Sequence, residues 1–160
     1  MGTVTKILAI LGKGGHTTQM IRLLEKMPKD FKYSYVVCYE DPISEKKVDG
    51  KLYKVNIPST ERDSNSMKIA RTLRTIFQAI IVMMKDDPNA IVTAGPGVGA
   101  IFSYLGKLLR KKVIFIESWA RVYSKSDSGK IVYPIADLFF VQWKEMEKVY
   151  RNAIYAGRLG

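Results

Sequence analysis

The 160-residue chain is long enough to bury a core as a single domain, residues 1–160, without help from disulfides or metals. One histidine and one cysteine are too few for a metal cluster, so we expect no metal and no cofactor, and Cys38 is typical of a buried strand in a reducing compartment. The formal net charge of +11 predicts an acidic partner: nucleic acid, anionic lipid or a phosphorylated substrate. No apolar run reaches the roughly 18 residues of a membrane span, and no cleaved signal peptide is recognisable.

The first strand is predicted at residues 7–11, and a helical pattern that begins near Met20 predicts the first helix. A glycine-rich loop joins them. The amide groups of a helix N terminus favour an anion above such a loop by about 0.3–1 kcal/mol. We therefore expect a phosphate group to bind at Gly12, Gly14, Gly15 and Thr17. The dinucleotide fingerprint G-x-G-x-x-G fails at its third glycine, where Thr17 stands, so a purely structural turn is the alternative.

His16 is the only histidine of the chain and stands at the first turn of this helix. A helix N terminus disfavours the imidazolium form, so His16 is a candidate neutral general base. The alternative is that His16 only caps the helix or packs under the loop.

The middle of the chain predicts a second strand at residues 33–39 and a third at residues 52–57. Glu40, after the second strand, occupies the place of a ribose-binding carboxylate in dinucleotide folds, which is a weak signal without the fingerprint. A polar loop follows at residues 59–66, and Ser66 is the expected N-cap of the next helix.

The longest helix is predicted at residues 67–85. Its apolar residues form a broad face, which predicts either a helix buried against the sheet or a face offered to a membrane or a partner. A basic cluster at Lys107 and residues 110–112 adds a second candidate for contact with an anionic surface; the alternative is a solvated helix end. The predicted membrane contacts of the helix are Lys68, Arg71, Phe77, Ile80 and Met84.

A fourth strand at residues 90–93 leads into a second glycine-rich loop with Gly95, Pro96 and Gly97, followed by a helix at residues 98–109. A fifth strand at residues 113–116 ends in Glu117, and a sixth is predicted at residues 138–141. Strand and helix alternate, so we predict a parallel, doubly wound sheet with a ligand crevice at the ends of its strands. Glu117 and Arg121 would lie at that crevice, and the alternative is that they form an ion pair.

These motifs, in this order, resemble the asparagine-linked-glycosylation-fourteen family over nearly the whole chain. The residues that carry the resemblance are residues 14–18, Gly95-Pro96-Gly97, Glu117-Ser118, Arg121-Val122, residues 124–130, Asp137, Val141-Gln142-Trp143 and residues 155–159. The resemblance implies the acceptor-side, membrane-associated half of a two-subunit GT-B glycosyltransferase that adds the second N-acetylglucosamine to a dolichyl-diphosphate-linked sugar. A separate subunit carries the UDP-GlcNAc site. Bacterial two-protein polysaccharide transferases are similar, so another sugar is an open alternative.

The fold class implied is a Rossmann-like parallel sheet equivalent to the N-terminal half of a GT-B enzyme. The resemblance and the residue chemistry together make His16 the first and Glu117 the second candidate for the base of an inverting transfer. Further residues are expected to bind the acceptor diphosphate: Thr60, Arg62, Ser118, Arg121 and Ser126. The expected contacts with the donor-binding subunit are Gln142, Trp143, Tyr155, Gly157 and Arg158.

Eukaryotic members of the family usually carry an N-terminal membrane anchor, whereas here the first strand begins almost at Met1. We therefore expect peripheral attachment to the cytoplasmic face of a membrane through the long helix and the basic cluster. Two other classes are weighed: a stand-alone nucleotide-binding enzyme and a nucleic-acid module. The second is disfavoured, because the aromatic residues lie mostly in apolar strands rather than among the basic residues.

Overall fold

The computed structural model describes residues 4–12, 14–60 and 62–160. Lys13, in the first glycine loop, and Glu61, in the polar loop, lie outside the described residues. The strands are β1 (Lys6–Ile10), β2 (Lys32–Cys38), β3 (Lys51–Val55), β4 (Ala90–Thr93), β5 (Lys112–Ile116), β6 (Leu138–Val141) and β7 (Ile154–Tyr155). The helices are α1 (Gly15–Lys26), α2 (Pro42–Glu45), α3 (Asn65–Asp86), α4 (Gly97–Leu108) and α5 (Asp127–Val132), with a 3-10 helix at Lys144–Lys148.

All strands pair in parallel in one sheet with the order β3-β2-β1-β4-β5-β6-β7. The six predicted strands are confirmed within about two residues at each end, and the predicted parallel, doubly wound sheet is confirmed with them. Their sequences are nearly continuous apolar runs because helices cover both faces of the sheet. The order reverses between β1 and β4, so the crevice at this switch point opens where those two strands end.

The two faces of the sheet have different covers. On one face α1 packs on β1 and its neighbours through Met20, with Leu23, Leu24 and Met27 at the margin. On the other face α3 and α4 pack through buried residues of which Met83 and Phe102 are the largest. Next to them, α5 and the 3-10 helix close the core over β5 and β6 with Val132, Met146 and Tyr150. Cys38 is buried in β2, as predicted.

The helix α3 is capped by Ser64, whose Oγ accepts a hydrogen bond from the Met67 amide at 3.4 Å. The predicted cap, Ser66, is wrong by two residues, because Ser66 already lies in the first helical turn. At the other end Asp87 adopts the left-handed conformation, with φ of 46°, and stops the helix.

The apolar face of α3 is turned away from the core. The residues of α3 that are buried are Thr75, Ala79, Val82, Met83 and Asp86. Thr75 and Gln78, from the polar side of the sequence pattern, pack inward and hydrogen-bond Asn56. The larger apolar residues form an exposed line that we call the apolar stripe: Ile69, Leu73, Phe77, Ile80 and Met84. The alternative of a helix that buries its broad apolar face is therefore wrong for this stripe.

Candidate active site

His16 joins the two glycine loops, residues 12–15 and residues 94–97. It lies in the first turn of α1, and its Nδ1 is 2.6 Å from the carbonyl oxygen of Ala94, which follows β4. The imidazole also lies beside Gly95, since a Cβ built on that residue would be 3.7 Å from His16 Cε1. The structure thus brings together the two loops that the sequence separates by about 80 positions.

The contact with Ala94 fixes which nitrogen of the imidazole is protonated. A carbonyl oxygen only accepts hydrogen bonds, so Nδ1 must donate, and in the neutral ring Nε2 then keeps its lone pair. Which nitrogen carries the proton is assigned from this contact. His16 is half-buried. This arrangement suits a group that accepts a proton.

The helices that start at the glycine loops lack side-chain caps. The N-cap residues are Gly14 in α1 and Pro96 in α4, and neither side chain has an oxygen to offer. The other three α-helices are capped by Asp41, Ser64 and Ser126. The Gly99 amide of α4 donates to the Pro96 carbonyl at 2.8 Å, and the other first-turn amides of α1 and α4 are available to an anion. Gly95 turns the second loop with φ of +96°, a conformation that a side chain would strain.

The first glycine loop is held from below by a buried polar cluster. The Thr17 hydroxyl donates to the Gly12 carbonyl and contacts the Ser44 hydroxyl at 2.7 Å, and Ser44 in turn donates to the Asp41 carboxylate. Thr17 is about 1% exposed, so its hydroxyl supports the loop instead of facing a ligand. Sequence reasoning missed Asp41 and Ser44, although an Asp before a proline is a recognisable helix-start signal.

Glu117 is about 1% exposed, and both of its carboxylate oxygens accept hydrogen bonds. Oε1 accepts from the Ser118 amide at 2.8 Å. Oε2 accepts from the Ser126 amide at 3.2 Å and from the Tyr150 hydroxyl at 2.7 Å. Such surroundings hold the carboxylate in place and leave it no access to a substrate hydroxyl, so the geometry does not support Glu117 as a general base. Glu117 instead anchors residues 117–126, which we call the β5 loop.

Burial, followed by the hydrogen bond to the Glu117 carboxylate, raises the pKa of the Tyr150 hydroxyl above its ordinary value. Gly129 packs against this pair. A Cβ built on Gly129 would collide with Glu117 Oε2 and with the Tyr150 hydroxyl, so only glycine fits beneath the β5 loop. Sequence reasoning gave neither Gly129 nor Tyr150 a role.

The predicted anion ligands of the β5 loop differ in whether their side chains are free to bind a ligand. Arg121 is exposed, and its Nη1 lies 3.5 Å from the Ser124 hydroxyl, so its charge remains available. The predicted alternative, an ion pair between Glu117 and Arg121, is absent among the contacts of the described residues. Ser118 Oγ accepts from the Ala120 amide at 3.3 Å and shapes the loop. Ser126 Oγ accepts from an amide of α5 at 2.8 Å, so Ser126 serves as a helix cap and not as a free ligand.

The polar loop after β3 borders the second glycine loop. A Cβ built on Gly97 would lie 3.4 Å from Pro58, and two residues further the Thr60 amide donates to the Asp63 carboxylate at 2.7 Å. Arg62 is exposed at the tip of this turn. The loop that carries Thr60 and Arg62 therefore lies beside the second glycine loop.

Trp119 also lies at the crevice, a position that sequence reasoning left without a role. A Cβ built on Gly15 would be 3.8 Å from its Nε1, so the indole stands beside the start of α1. The buried Gln19 fixes this residue, because its Oε1 accepts from the Trp119 amide at 3.3 Å.

No trio of His, Cys, Asp or Glu suited to a metal ion is found in the part of the chain that is described.

The residues predicted to contact a partner subunit divide in two. Tyr155, Gly157 and Arg158 are exposed, and the Arg158 guanidinium lies 3.9 Å from the centre of the half-buried Trp143 ring. Gln142 is only about 2% exposed, so little of its side chain is accessible to a partner. An open groove of about 420 Å³ runs between α1 and residues 156–159, over a floor of apolar side chains from β4, β5 and β6.

The predicted membrane contacts also divide. Phe77 and Met84 are 65% and 75% exposed on the apolar stripe, with Ile80 beside them. Lys68 is half-buried, and Arg71 is partly occupied by Asp63, 3.5 Å away.

In the basic cluster, three of the four cations have acidic neighbours: Lys107 and Lys112 contact Asp137, and Lys111 contacts Asp87. Among the described helices none combines the length and hydropathy needed to span a bilayer.

The sheet order, the reversal between β1 and β4 and the two open helix N termini define a Rossmann-like half of a GT-B protein. Solved structures share this fold. The chain superposes on MurG of Acinetobacter baumannii with a TM-score of 0.72 and 13% identity, covering 98% of this chain and 44% of that chain. For the UDP-GlcNAc 2-epimerase of Neisseria meningitidis the TM-score is 0.75 at 12% identity, covering 97% and 47%. The chain thus spans about half the length of these structures, and the predicted fold class is confirmed.

The particular family follows from the sequence comparisons. Residues 7–159 match the family described as "Oligosaccharide biosynthesis protein Alg14 like", and the chain belongs to that family. It is 30% identical to the UDP-N-acetylglucosamine transferase subunit ALG14 of Homo sapiens, over 96% of this chain and 82% of that protein. The corresponding subunit of Schizosaccharomyces pombe is 34% identical over 94% and 81%. The predicted family resemblance is therefore confirmed.

Proposed function

We propose that residues 1–160 form the acceptor-side subunit of a two-protein UDP-N-acetylglucosamine transferase that extends a lipid-diphosphate-linked sugar. The observation that carries this proposal is His16, whose Nε2 is free to accept a proton where two open helix N termini meet. The names of the human and S. pombe relatives, each called a transferase subunit, support the same reaction class.

The acceptor diphosphate would lie across the two glycine loops. The amides at the starts of α1 and α4 point there, and the exposed Arg121 brings a guanidinium to the same edge. Gly14 and Gly15 leave room above α1 because they carry no side chains, and Gly97 leaves room above α4. The polar loop with Thr60 and Arg62 would border the sugar or the diphosphate from the side of β3.

The chemistry requires one base. As the acceptor hydroxyl oxygen attacks C1 of N-acetylglucosamine, its proton passes to His16 Nε2, and the bond between C1 and the UDP oxygen breaks so that UDP leaves with the electron pair. A single displacement inverts the configuration at C1 and needs no covalent sugar intermediate. The Nδ1 contact with Ala94 orients the ring and stabilises the imidazolium that forms. Glu117 acts as a positioning residue for the β5 loop.

UDP-GlcNAc would be supplied by a separate donor-binding subunit. The exposed Tyr155, Gly157 and Arg158 and the apolar groove beside them form the proposed contact surface. Lys26 and Arg158 stand at the rim of this groove, so an apolar segment with acidic flanks fits it. Trp143 takes part through its stacking with Arg158.

The apolar stripe of α3 would rest on the cytoplasmic face of a membrane. Residues 65–85 contain four cations and no acidic residue, and Arg74 and Lys85 are exposed beside the stripe. An exposed apolar ridge with exposed cations beside it suits a surface with anionic lipids. The helix starts a few residues after Arg62, so the stripe continues to the edge where the diphosphate would bind.

Two alternatives are less well supported. A stand-alone nucleotide-binding enzyme would need a ribose-binding carboxylate after β2, but Glu40 is exposed in a turn while its neighbour Asp41 is buried in the support of the first loop. A transferase of the bacterial polysaccharide type would use the same site with another sugar, and the donor test below distinguishes it.

The test of the proposed function is to purify the tagged chain from membranes of its source and to assay sugar transfer. We expect a second, donor-binding subunit to co-purify. Transfer from UDP-GlcNAc to a lipid-diphosphate-linked GlcNAc should require both proteins and fail with either alone. A chain that purifies without a partner and binds UDP-GlcNAc by itself would contradict the two-subunit proposal, and a preference for another UDP-sugar would change the donor.

The membrane contact is tested by sedimentation with vesicles of phosphatidylcholine and phosphatidylglycerol. Phe77→Glu should weaken binding about tenfold or more, because burying one Phe is worth roughly 1.5–3 kcal/mol. Ile43→Glu is the matched control, since Ile43 is 67% exposed and Phe77 65%, but Ile43 lies on α2, outside the stripe. Equal loss in both variants would show that the stripe is not the contact.

A further inference from the structure

Gln142, at the end of β6, uses both ends of its buried amide to join two separate segments. Its Nε2 donates to the Glu117 carbonyl at 2.9 Å, and its Oε1 accepts from the Leu159 amide at 3.0 Å. One segment is the β5 loop, and the other consists of residues 156–160, which we call the strap. Gln142 is about 2% exposed, so this link is shielded from water.

Further contacts bind the strap to the β5 loop around Trp119. Arg22 of α1 donates to the Leu159 carbonyl at 2.8 Å and lies 5.4 Å from the centre of the Trp119 ring. The Trp143 indole donates to the Trp119 carbonyl at 2.6 Å. A Cβ built on Gly160 would be 2.7 Å from the Trp119 ring, so the strap lies directly against it. The strap, Trp119 and the start of the β5 loop are therefore joined by a continuous set of contacts.

We propose that Gln142 is a positioning residue that couples the diphosphate site to the partner surface. This inference rests on the proposed function, because it takes the glycine loops and Arg121 as the diphosphate site and the strap as part of the partner contact. When a diphosphate orders the β5 loop, the Glu117 carbonyl and Gln142 are held in place, and Gln142 holds the Leu159 amide. The strap is then presented in one conformation. By linkage, a partner that orders the strap strengthens diphosphate binding by the same factor.

The physical reason lies in the burial of the amide. If either end of Gln142 loses its partner, a buried polar group is left unsatisfied, which costs more than the hydrogen bond itself contributes. A displacement of Gln142 that breaks one of the bonds therefore strains the other. A link of this kind also differs from simple support of the loop, because damage at the strap must be felt at the glycine loops.

The experiment measures binding of inorganic pyrophosphate to the full chain by calorimetry. Gln142→Met removes both hydrogen bonds at similar volume, and Leu159→Pro removes the N–H at the strap, outside the sheet, together with the leucine side chain that packs at the groove. Leu159→Ala, which loses the side chain but keeps the N–H, separates the two effects and should bind more tightly than Leu159→Pro. Gln142→Met and Leu159→Pro should each weaken binding about fivefold or more, and their double variant should be no weaker than the worse single variant, because both break one link. Gln78→Met is the matched control: it also removes two hydrogen bonds of an inward-facing amide, but on α3, and should bind as the unmodified chain does.

Each outcome decides something. If Leu159→Pro binds pyrophosphate normally, or if the losses in the double variant multiply, the coupling is wrong while the proposed function stands. If Gln142→Met unfolds, Leu159→Pro alone still tests the link. If the unmodified chain does not bind pyrophosphate, the diphosphate site is wrong and the coupling fails with it.

Discussion

His16 and Glu117 both follow apolar strands of the sheet and reach the same edge, yet their surroundings differ. Among the described residues His16 makes one hydrogen bond, at Nδ1, and its Nε2 has no partner there. The Glu117 carboxylate receives three hydrogen bonds and is closed off by Gly129. Residue type and position at a strand end thus identify a site, but the hydrogen-bonding capacity that remains decides whether a residue reacts or holds the structure.

The largest expected effect is on sugar transfer, and it comes from replacing His16. His16→Ala should reduce sugar transfer by the assembled enzyme about 10²–10⁴-fold, the range for loss of a general base. The melting temperature should change little. His16→Asn is the sharper variant, because its amide can still donate to Ala94 but has no basic lone pair. Transfer by His16→Asn at the normal rate would remove His16 from the chemistry.

The substitution Gly129→Ala disrupts the buried surroundings of Glu117. The added methyl group would collide with Glu117 and Tyr150, so we expect a loss of about 3 kcal/mol in the free energy of unfolding, measured by urea denaturation. Lys130→Ala, an exposed change on the same helix, should stay within about 0.5 kcal/mol. Equal free energies of unfolding for the two variants would contradict the close packing of Gly129 against Glu117 and Tyr150.

A smaller effect concerns pH. Because the pKa of Tyr150 is raised in the folded state, unfolding releases its proton once the pH exceeds the unfolded value near 10. The free energy of unfolding therefore falls with rising pH, by up to about 1.4 kcal/mol per pH unit from this group. Tyr150→Phe lacks this contribution, so its stability should approach that of the unmodified chain above pH 10. Parallel curves for the two proteins would contradict the assignment.

The same contrast explains what could be predicted from the sequence. The strands were predictable because a parallel sheet covered on both faces needs continuous apolar runs, and the loops were predictable from their glycines. The direction of α3 was not, because Thr75 and Gln78 are drawn inward by Asn56, a contact between positions about 20 residues apart. Nor was the role of Glu117, because its partner Tyr150 is 33 residues away and joins it only in the folded core.

Gln142 shows a related limit. The family resemblance implied an interface residue, and only the folded positions of Glu117 and Leu159 reveal the buried link. The short strand β7 and the helix α2 were likewise invisible, since segments of two and four residues carry no periodic pattern.

The chain contains two tryptophans, Trp119 and Trp143, and both stand where the strap meets the β5 loop. Ultraviolet emission excited at the long-wavelength edge of the indole band, where the nine tyrosines do not absorb, therefore originates from this corner of the molecule. The protein has in effect a built-in optical label: a spectral shift or a change in quenching by iodide reports on the strap and the β5 loop, with no dye attached and no background from the rest of the fold.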